Sequence, residues 1–213
     1  MLVRAYVSGY FPMGGDGGPV RWYSPDPRGI LPLDGFHIPH GLRKVLRKNP
    51  FEIRVDTAFI EVMEGCADRP DTWIDDIIRR SYGMLHLLGL AHSVEAWKDG
   101  QLAGGLYGVA IGGVFFGESM FSRVTDASKV CLVHLVERLR AGRFGLLDTQ
   151  WTTSHLERFG AMEIPREDYL DRLDEALPMP GNWSAMDGEA EPDRDQTGQD
   201  AAQGVGDGQP PAA

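Results

Sequence analysis

The stretch from Ser93 to Phe121 restricts the fold of this chain more than any other. Ser93-Val94-Glu95-Ala96-Trp97 alternates in polarity, which on an extended backbone sends successive side chains to opposite faces. Asp99-Gly100 follows, a pair that accepts the positive φ of a two-residue hairpin turn. Two longer apolar, glycine-containing runs come next, 102–111 and 114–121, joined at Gly112-Gly113. Three sequential strands with tight turns predict an antiparallel meander. Downstream, the periodicity predicts a helix over about 126–140, a strand over 144–148, and helices near 153–159 and 166–177.

A meander followed by helix, strand and helix is the order of acetyltransferase-like α+β folds, an antiparallel or mixed sheet flanked by helices. Ahead of it, residues 9–35 are rich in Gly and Pro, with Ser24-Pro25-Asp26-Pro27-Arg28-Gly29 as a run of turn signals. A short basic helix is predicted over 39–48, and Asp56 is the expected cap of a helix through Phe59, Ile60 and Met63. Another helix is predicted over 75–88, with Ile77, Ile78, Tyr82, Leu85 and Leu88 as its buried stripe. These signals divide the chain into a small N-terminal α/β annex (1–60), a catalytic domain (61–181) and an acidic tail (182–213). The tail holds one Arg against seven acids and no aromatic residue after Trp183, a composition that predicts disorder.

The net charge of −10 is therefore concentrated at one end, and residues 1–60 carry eight Arg/Lys against five Asp/Glu. An acidic total does not exclude a basic, nucleic-acid-binding face. Cys66 and Cys131 lie in helical patterns without metal-ligand spacing, which fits a reducing compartment. No run approaches 18 apolar residues, so a soluble cytoplasmic protein is expected, and a monomer.

Two apolar, strand-like runs contain polar residues that need either a partner or a chemical role. These are Glu118 in Gly117–Arg123, and Asp148 with Gln150 in Leu147–Gln150. Asp148 and Gln150 are two apart, so on a regular strand they share a face, with the carboxylate placed to orient the amide. The position that would hold the pyrophosphate of acyl-CoA reads Arg123-Val124-Thr125-Asp126-Ala127-Ser128-Lys129. It has no glycine pair, and an acid stands where an anion would bind, which disfavours a CoA-dependent enzyme.

Several words along the chain resemble leucyl/phenylalanyl-tRNA–protein transferases. They are Tyr10-Phe11-Pro12, Trp22-Tyr23-Ser24-Pro25-Asp26-Pro27-Arg28, Glu64-Gly65-Cys66-Ala67, Thr72-Trp73-Ile74, Ala91-His92-Ser93-Val94-Glu95 and Gly104-Gly105-Leu106-Tyr107-Gly108-Val109-Ala110. The Gly117–Arg123 run, Ala127-Ser128-Lys129, Asp148-Thr149-Gln150 and Gly160-Ala161-Met162-Glu163-Ile164-Pro165-Arg166 continue the series. The resemblance implies transfer of leucine or phenylalanine, sometimes methionine, from the 3′ end of aminoacyl-tRNA to proteins that begin with Arg or Lys. Such transfer marks those proteins for degradation, and no metal or organic cofactor is implied.

Asp148 and Gln150 are the catalytic candidates by this reading. Glu118 is the anionic contact, either for the acceptor's basic side chain or for the donor's amino group; its structural alternative is an ion pair with Arg123. Leu106, Phe115, Met120, Leu132, Leu135 and Leu147 match the donor pocket. Trp73, with Tyr82 nearby, matches the contact to the terminal adenosine, since stacking is the economical way to hold an unpaired base. Met13 stands where the family has a tryptophan, so stacking on that side must be built differently, and Trp151-Thr152-Thr153 stands where many relatives place an asparagine. Arg28, Arg43, Lys44, Arg47, Lys48, Arg79 and Arg80 are candidate tRNA phosphate contacts. Family members commonly carry a further stretch ahead of Tyr10. The rival readings are a related acyl- or aminoacyltransferase acting on another amine, and a noncatalytic module that binds tRNA ends or N-terminal residues.

Overall fold

The computed structural model describes residues 1–15 and 18–188. The N-terminal third consists of α1 (Leu2–Tyr6), β1 (Phe11–Met13), β2 (Arg21–Tyr23), β3 (Arg28–Ile30), α2 (His40–Lys48) and β4 (Glu52–Val55). Two helices, α3 (Phe59–Ala67) and α4 (Asp76–Leu87), lead into the meander β5 (Ala91–Lys98), β6 (Gln101–Ile111) and β7 (Val114–Ser122). Then come α5 (Ala127–Ala141), β8 (Leu146–Gln150), α6 (Ser154–Glu157), β9 (Met162–Ile164), α7 (Arg166–Ala176) and a 3-10 turn, Trp183–Met186.

The meander forms as the pattern predicts, with Asp99 and Gly100 both at positive φ (51° and 73°). It sits inside a seven-stranded mixed sheet of order β4-β5-β6-β7-β8-β3-β9, in which only β7 and β8 run parallel; β1 and β2 form a separate ribbon. Residues 28–30 and 52–55, expected in the annex, are thus strands of the main sheet. At Gly29 the chains pass so closely that a Cβ would lie 2.6 Å from the Trp151 carbonyl carbon and 2.8 Å from the Thr152 nitrogen. Backbone cannot give way as a side-chain tip can. Gly29→Ala is expected to cost about 1–3 kcal/mol, read as a lower urea midpoint at unchanged slope.

Helices cover both faces of the sheet. Tyr6, Val62, Met63, Ile78, Tyr82, Tyr169 and Leu173 pack on one face, and Leu42, the apolar side of α5, Phe159 and Trp183 on the other. Only part of the α4 stripe is inside: Ile78, Tyr82 and Leu85 are buried, whereas Ile77 and Leu88 are exposed, because α3 and β5 meet a narrower face of the helix than the periodicity offers.

The start of α3 is capped differently from expectation. The buried Glu95 carboxylate accepts from the Thr57 and Ala58 backbone N–H groups (3.0 and 2.8 Å), the Thr57 hydroxyl and the Ser93 hydroxyl. Asp56, at φ 58°, instead accepts from Ser93 N, His92 Nδ1 and the Trp183 indole N–H. Trp183 is therefore core, although composition places residue 182 onward in a disordered tail. Its ring stacks on His92 (4.3 Å) and Phe115 (5.4 Å), and Arg138 holds both its carbonyl (2.7 Å) and Asp187 (2.8 Å). Residues 189–213, the rest of the expected tail, lie outside the described residues.

Candidate active site

The site originates in a disagreement between neighbouring strands. β7 and β8 pair only from Val114/Leu146 to Phe116/Asp148, yet β7 continues to Ser122 and β8 to Gln150. Beyond the last pair they separate. On its other edge β7 carries a bulge: Gly117 pairs with Gly108 and Ser119 with Tyr107, which leaves Glu118 as the extra residue. The bulge turns Glu118 toward the face that holds Tyr6 and Tyr82.

A cavity of about 370 Å³ fills the gap. Leu106, Met120, Leu132, Leu135 and Leu147 form its apolar side, from the core beneath α5. Tyr107, Glu118 and Ser119 line it on the polar side, and Phe11, Met13, Arg69, Trp73 and Trp151 complete the wall. Four residues of the lining, Tyr107, Thr149, Gln150 and His155, carry a buried hydroxyl, amide or imidazole atom with no hydrogen-bond partner among the described residues. Such an atom costs about 1–3 kcal/mol when nothing satisfies it, so four around one cavity point to a polar ligand beside an apolar one.

Glu118 accepts from the Tyr6 hydroxyl (2.5 Å) and the Tyr82 hydroxyl (3.0 Å), and the two phenols also touch each other. Burial pushes its carboxyl up to about 7, against the opposing pull of the two hydroxyls. Both phenols are held well above the usual tyrosine value, by burial first and then by the Glu118 charge. Arg123 takes no part; it lies over the Phe121 ring, 5.2 Å from its centre. The His155 imidazole is held below its ordinary value by burial and by Lys129 and Arg158.

Asp148 does not face the cavity. It is fully buried and receives Arg28 through Nε (2.9 Å) and Nη2 (2.6 Å), Tyr169 Oη (3.0 Å) and the backbone N–H of Gln150 (2.9 Å). Arg28 also donates to the Gly9 carbonyl (2.8 Å) and lies between the rings of Tyr169 and Phe11. The expected contact from carboxylate to side-chain amide is thus a contact to the main chain. Gln150 takes φ 59°, which breaks the strand alternation and turns its side chain into the cavity away from Asp148.

The other candidates divide clearly. Met13, Trp73, Leu106, Glu118, Met120, Leu132, Leu135, Leu147 and Gln150 meet in the one cavity. Phe115 stands behind it, stacked on Trp183, and Tyr82 is fully buried behind Glu118, edge-on to Tyr107, so it cannot stack on a base. Arg28 is sealed in the interior and cannot reach a phosphate. Arg43, Lys44, Arg47 and Lys48 are exposed on α2, while Arg79 pairs with Asp76 and Arg80 donates to the Asp76 carbonyl. Sequence reasoning misses Tyr6, Arg69, Tyr107, Thr149, Trp151 and His155 as site residues. The family words do contain Tyr107 and Thr149, but nothing local marks either as a lining residue.

An apolar pocket next to unpartnered polar atoms and a buried carboxyl suits an enzyme that handles an apolar group beside a polar one, the class to which acyl transfer belongs. The model of the leucyl/phenylalanyl-tRNA protein transferase family matches residues 30–174, and that family's N-terminal domain matches residues 1–26. A leucyl/phenylalanyl-tRNA–protein transferase of Salinibacter ruber is 57% identical over 192 residues, 89% of this chain and 85% of the relative. One from Paramagnetospirillum magneticum is 59% identical over 183 residues, 83% of this chain and 88% of the relative. Among solved structures, L-PGS from Bacillus licheniformis is similar with a TM-score of 0.42 at 13% identity, over 69% of this chain and about half (48%) of that protein. The chain belongs to the leucyl/phenylalanyl-tRNA protein transferase family.

Proposed function

We propose that this aminoacyltransferase moves a leucyl or phenylalanyl group, and also methionyl, from the 3′ end of charged tRNA to the α-amine of proteins that begin with Arg or Lys. The cavity between β7 and β8 carries this reading, because it joins an apolar pocket to a polar wall across the sheet. The donor side chain occupies the leucine-lined side. Leu and Met there adapt to unbranched, γ-branched and aromatic groups and discriminate weakly among them.

The ester is already activated, so what the enzyme must supply is alignment. The acceptor amine attacks the ester carbonyl, a C–N bond forms, the C–O bond to the ribose breaks, and the amine's proton is transferred to the departing ribose oxygen. Gln150 aligns the amine through its side-chain amide. Glu118 receives the acceptor's basic side chain or its ammonium proton, as suits a carboxyl that titrates near 7. The splayed mixed sheet, with the helix α5 between β7 and the parallel β8, supports an acetyltransferase-like reading of the fold. The β1–β2 ribbon with α1 acts as the annex closing the nucleotide end. We read the enzyme as a cytoplasmic monomer that marks its acceptors for degradation; among the described residues no helix is long and apolar enough to cross a membrane.

The reading is tested with radiolabelled Leu-tRNA and two peptides that differ only in an initial Arg or Ala. Label in the Arg peptide alone establishes the reaction and the acceptor rule, and tRNA binding without transfer overturns both.

The exposed basic face of α2 is read as the tRNA backbone contact. Lys44→Gln with Arg47→Gln is expected to reduce the slope of log affinity against log salt by about one unit per lost phosphate contact. An unchanged slope would remove α2 from the tRNA path.

A further inference from the structure

We propose that Trp151 is a nucleobase-stacking residue that helps to hold the terminal base of the tRNA at this cavity, in addition to Trp73, to which the family resemblance already gives a contact with that base. This rests on the proposed function. Trp151 lines the cavity but leaves 42% of its surface exposed, a large apolar face turned to solvent beside a binding site.

Its position is built rather than incidental. The left-handed conformation of Gln150 ends β8, and the next residue, Trp151, lines the cavity while remaining exposed. The backbone of Trp151 and Thr152 lies against Gly29, where even a methyl group would collide. The indole packs at steep angles against Phe11 (5.0 Å, 89°) and Tyr23 (6.1 Å, 66°), so two aromatic rings fix its orientation. Phe11 in turn is backed by the buried Arg28 guanidinium, 5.0 Å from its centre. The exposed 42% of Trp151 leaves part of the indole open to a ligand.

Met13 and Trp73 line the same cavity. A thioether packs well against an aromatic ring but offers no flat face of its own. Phe11, Tyr107 and Trp73 also line the cavity, but among these rings Trp151 is the exposed one, so the flat face that Met13 does not offer comes from the end of β8. Stacking tolerates any base, so Trp151 contributes affinity for the tRNA end and not base identity.

The experiment measures binding of two hydrolysis-resistant donors by competition with Phe-tRNA. One is 3′-phenylalanylamino-3′-deoxyadenosine, and the other is the same compound with a methoxy group in place of the base. Trp151→Ala is expected to bind the adenine compound at least about tenfold more weakly. The baseless compound should bind wild type and Trp151→Ala alike, and Trp151→Phe should stay within about threefold of wild type. Equal losses for both compounds, or no loss for the adenine compound, would overturn the proposal and leave Trp151 as packing for Phe11 and Tyr23. Transfer by wild type in the Arg-peptide assay is read separately, so absence of the reaction itself is distinguishable from absence of the stack.

Discussion

Asp148→Ala is expected to lower stability by about 3–5 kcal/mol and to cut transfer at least about a hundredfold in the molecules that stay folded. The alanine leaves the Arg28 guanidinium with no counterion in a fully buried site, and breaking one side of such a pair costs far more than the pair contributes as a whole. It also removes the acceptor for Tyr169 and the contact that fixes the Gln150 backbone at positive φ. Two further variants separate the effects. Arg28→Met with Asp148→Leu is expected to recover much of the stability and little of the activity, because Gln150 still lacks its anchor. Gln150→Ala should fold within about 1 kcal/mol of wild type and still lose about a hundredfold in turnover. Denaturant midpoints and single-turnover transfer check all three; turnover within threefold in both Asp148→Ala and Gln150→Ala would end the catalytic reading of this pair.

Glu118→Gln gives the second large effect, and its signature is pH dependence. The folded site favours the neutral acid, raising the carboxyl from 4.5 to about 7. Between those values the native state holds more protons than the unfolded chain, so stability falls as pH rises and the full penalty is present above about 7. Solvent contact at the cavity reduces the penalty, leaving on the order of 1–3 kcal/mol. The glutamine variant, neutral throughout, is therefore expected to be more stable than wild type at pH 8 and nearly equal to it at pH 4. Its transfer rate should fall by about a hundredfold at neutral pH, and the inflection near 7 expected of wild type in kcat/KM should be lost. An unchanged pH profile would leave Glu118 as a structural acceptor for Tyr6 and Tyr82.

What can be read from sequence follows the range of the interactions. The meander and α5 are legible because periods of 2 and 3.6 are local properties, whereas the cavity's apolar residues read only as core by period and are picked out by the family resemblance; the helix at 75–88 is legible because Asp75 does cap it, accepting from Ile77 and Ile78. β3 and β9 are not, since each is three residues long and exists only through pairing across the sheet. Arg28 looks like a surface cation because its partner lies 120 residues away, and no local pattern reveals a charge neutralised at that distance. Strand alternation puts Gln150 in the site for a mistaken reason: it sets the amide beside Asp148, whereas a left-handed residue turns it into the cavity. Composition assigns Trp183 to a disordered tail, although a single large ring finding a socket outweighs the polar residues around it.

The Trp183 socket has a consequence for how the protein is made. Phe115 packs in the same cluster as the leucines of the cavity, the proposed donor pocket, and Trp183 stacks on it. Synthesis runs from the N-terminus, so every strand of the sheet leaves the ribosome before the residue that braces the pocket from behind. A message cut short at codon 181 would yield a chain with its candidate site residues and its family words complete but no rear brace. Fusions and affinity tags at the C-terminus therefore belong beyond Gly188, where an added sequence leaves the clasp intact.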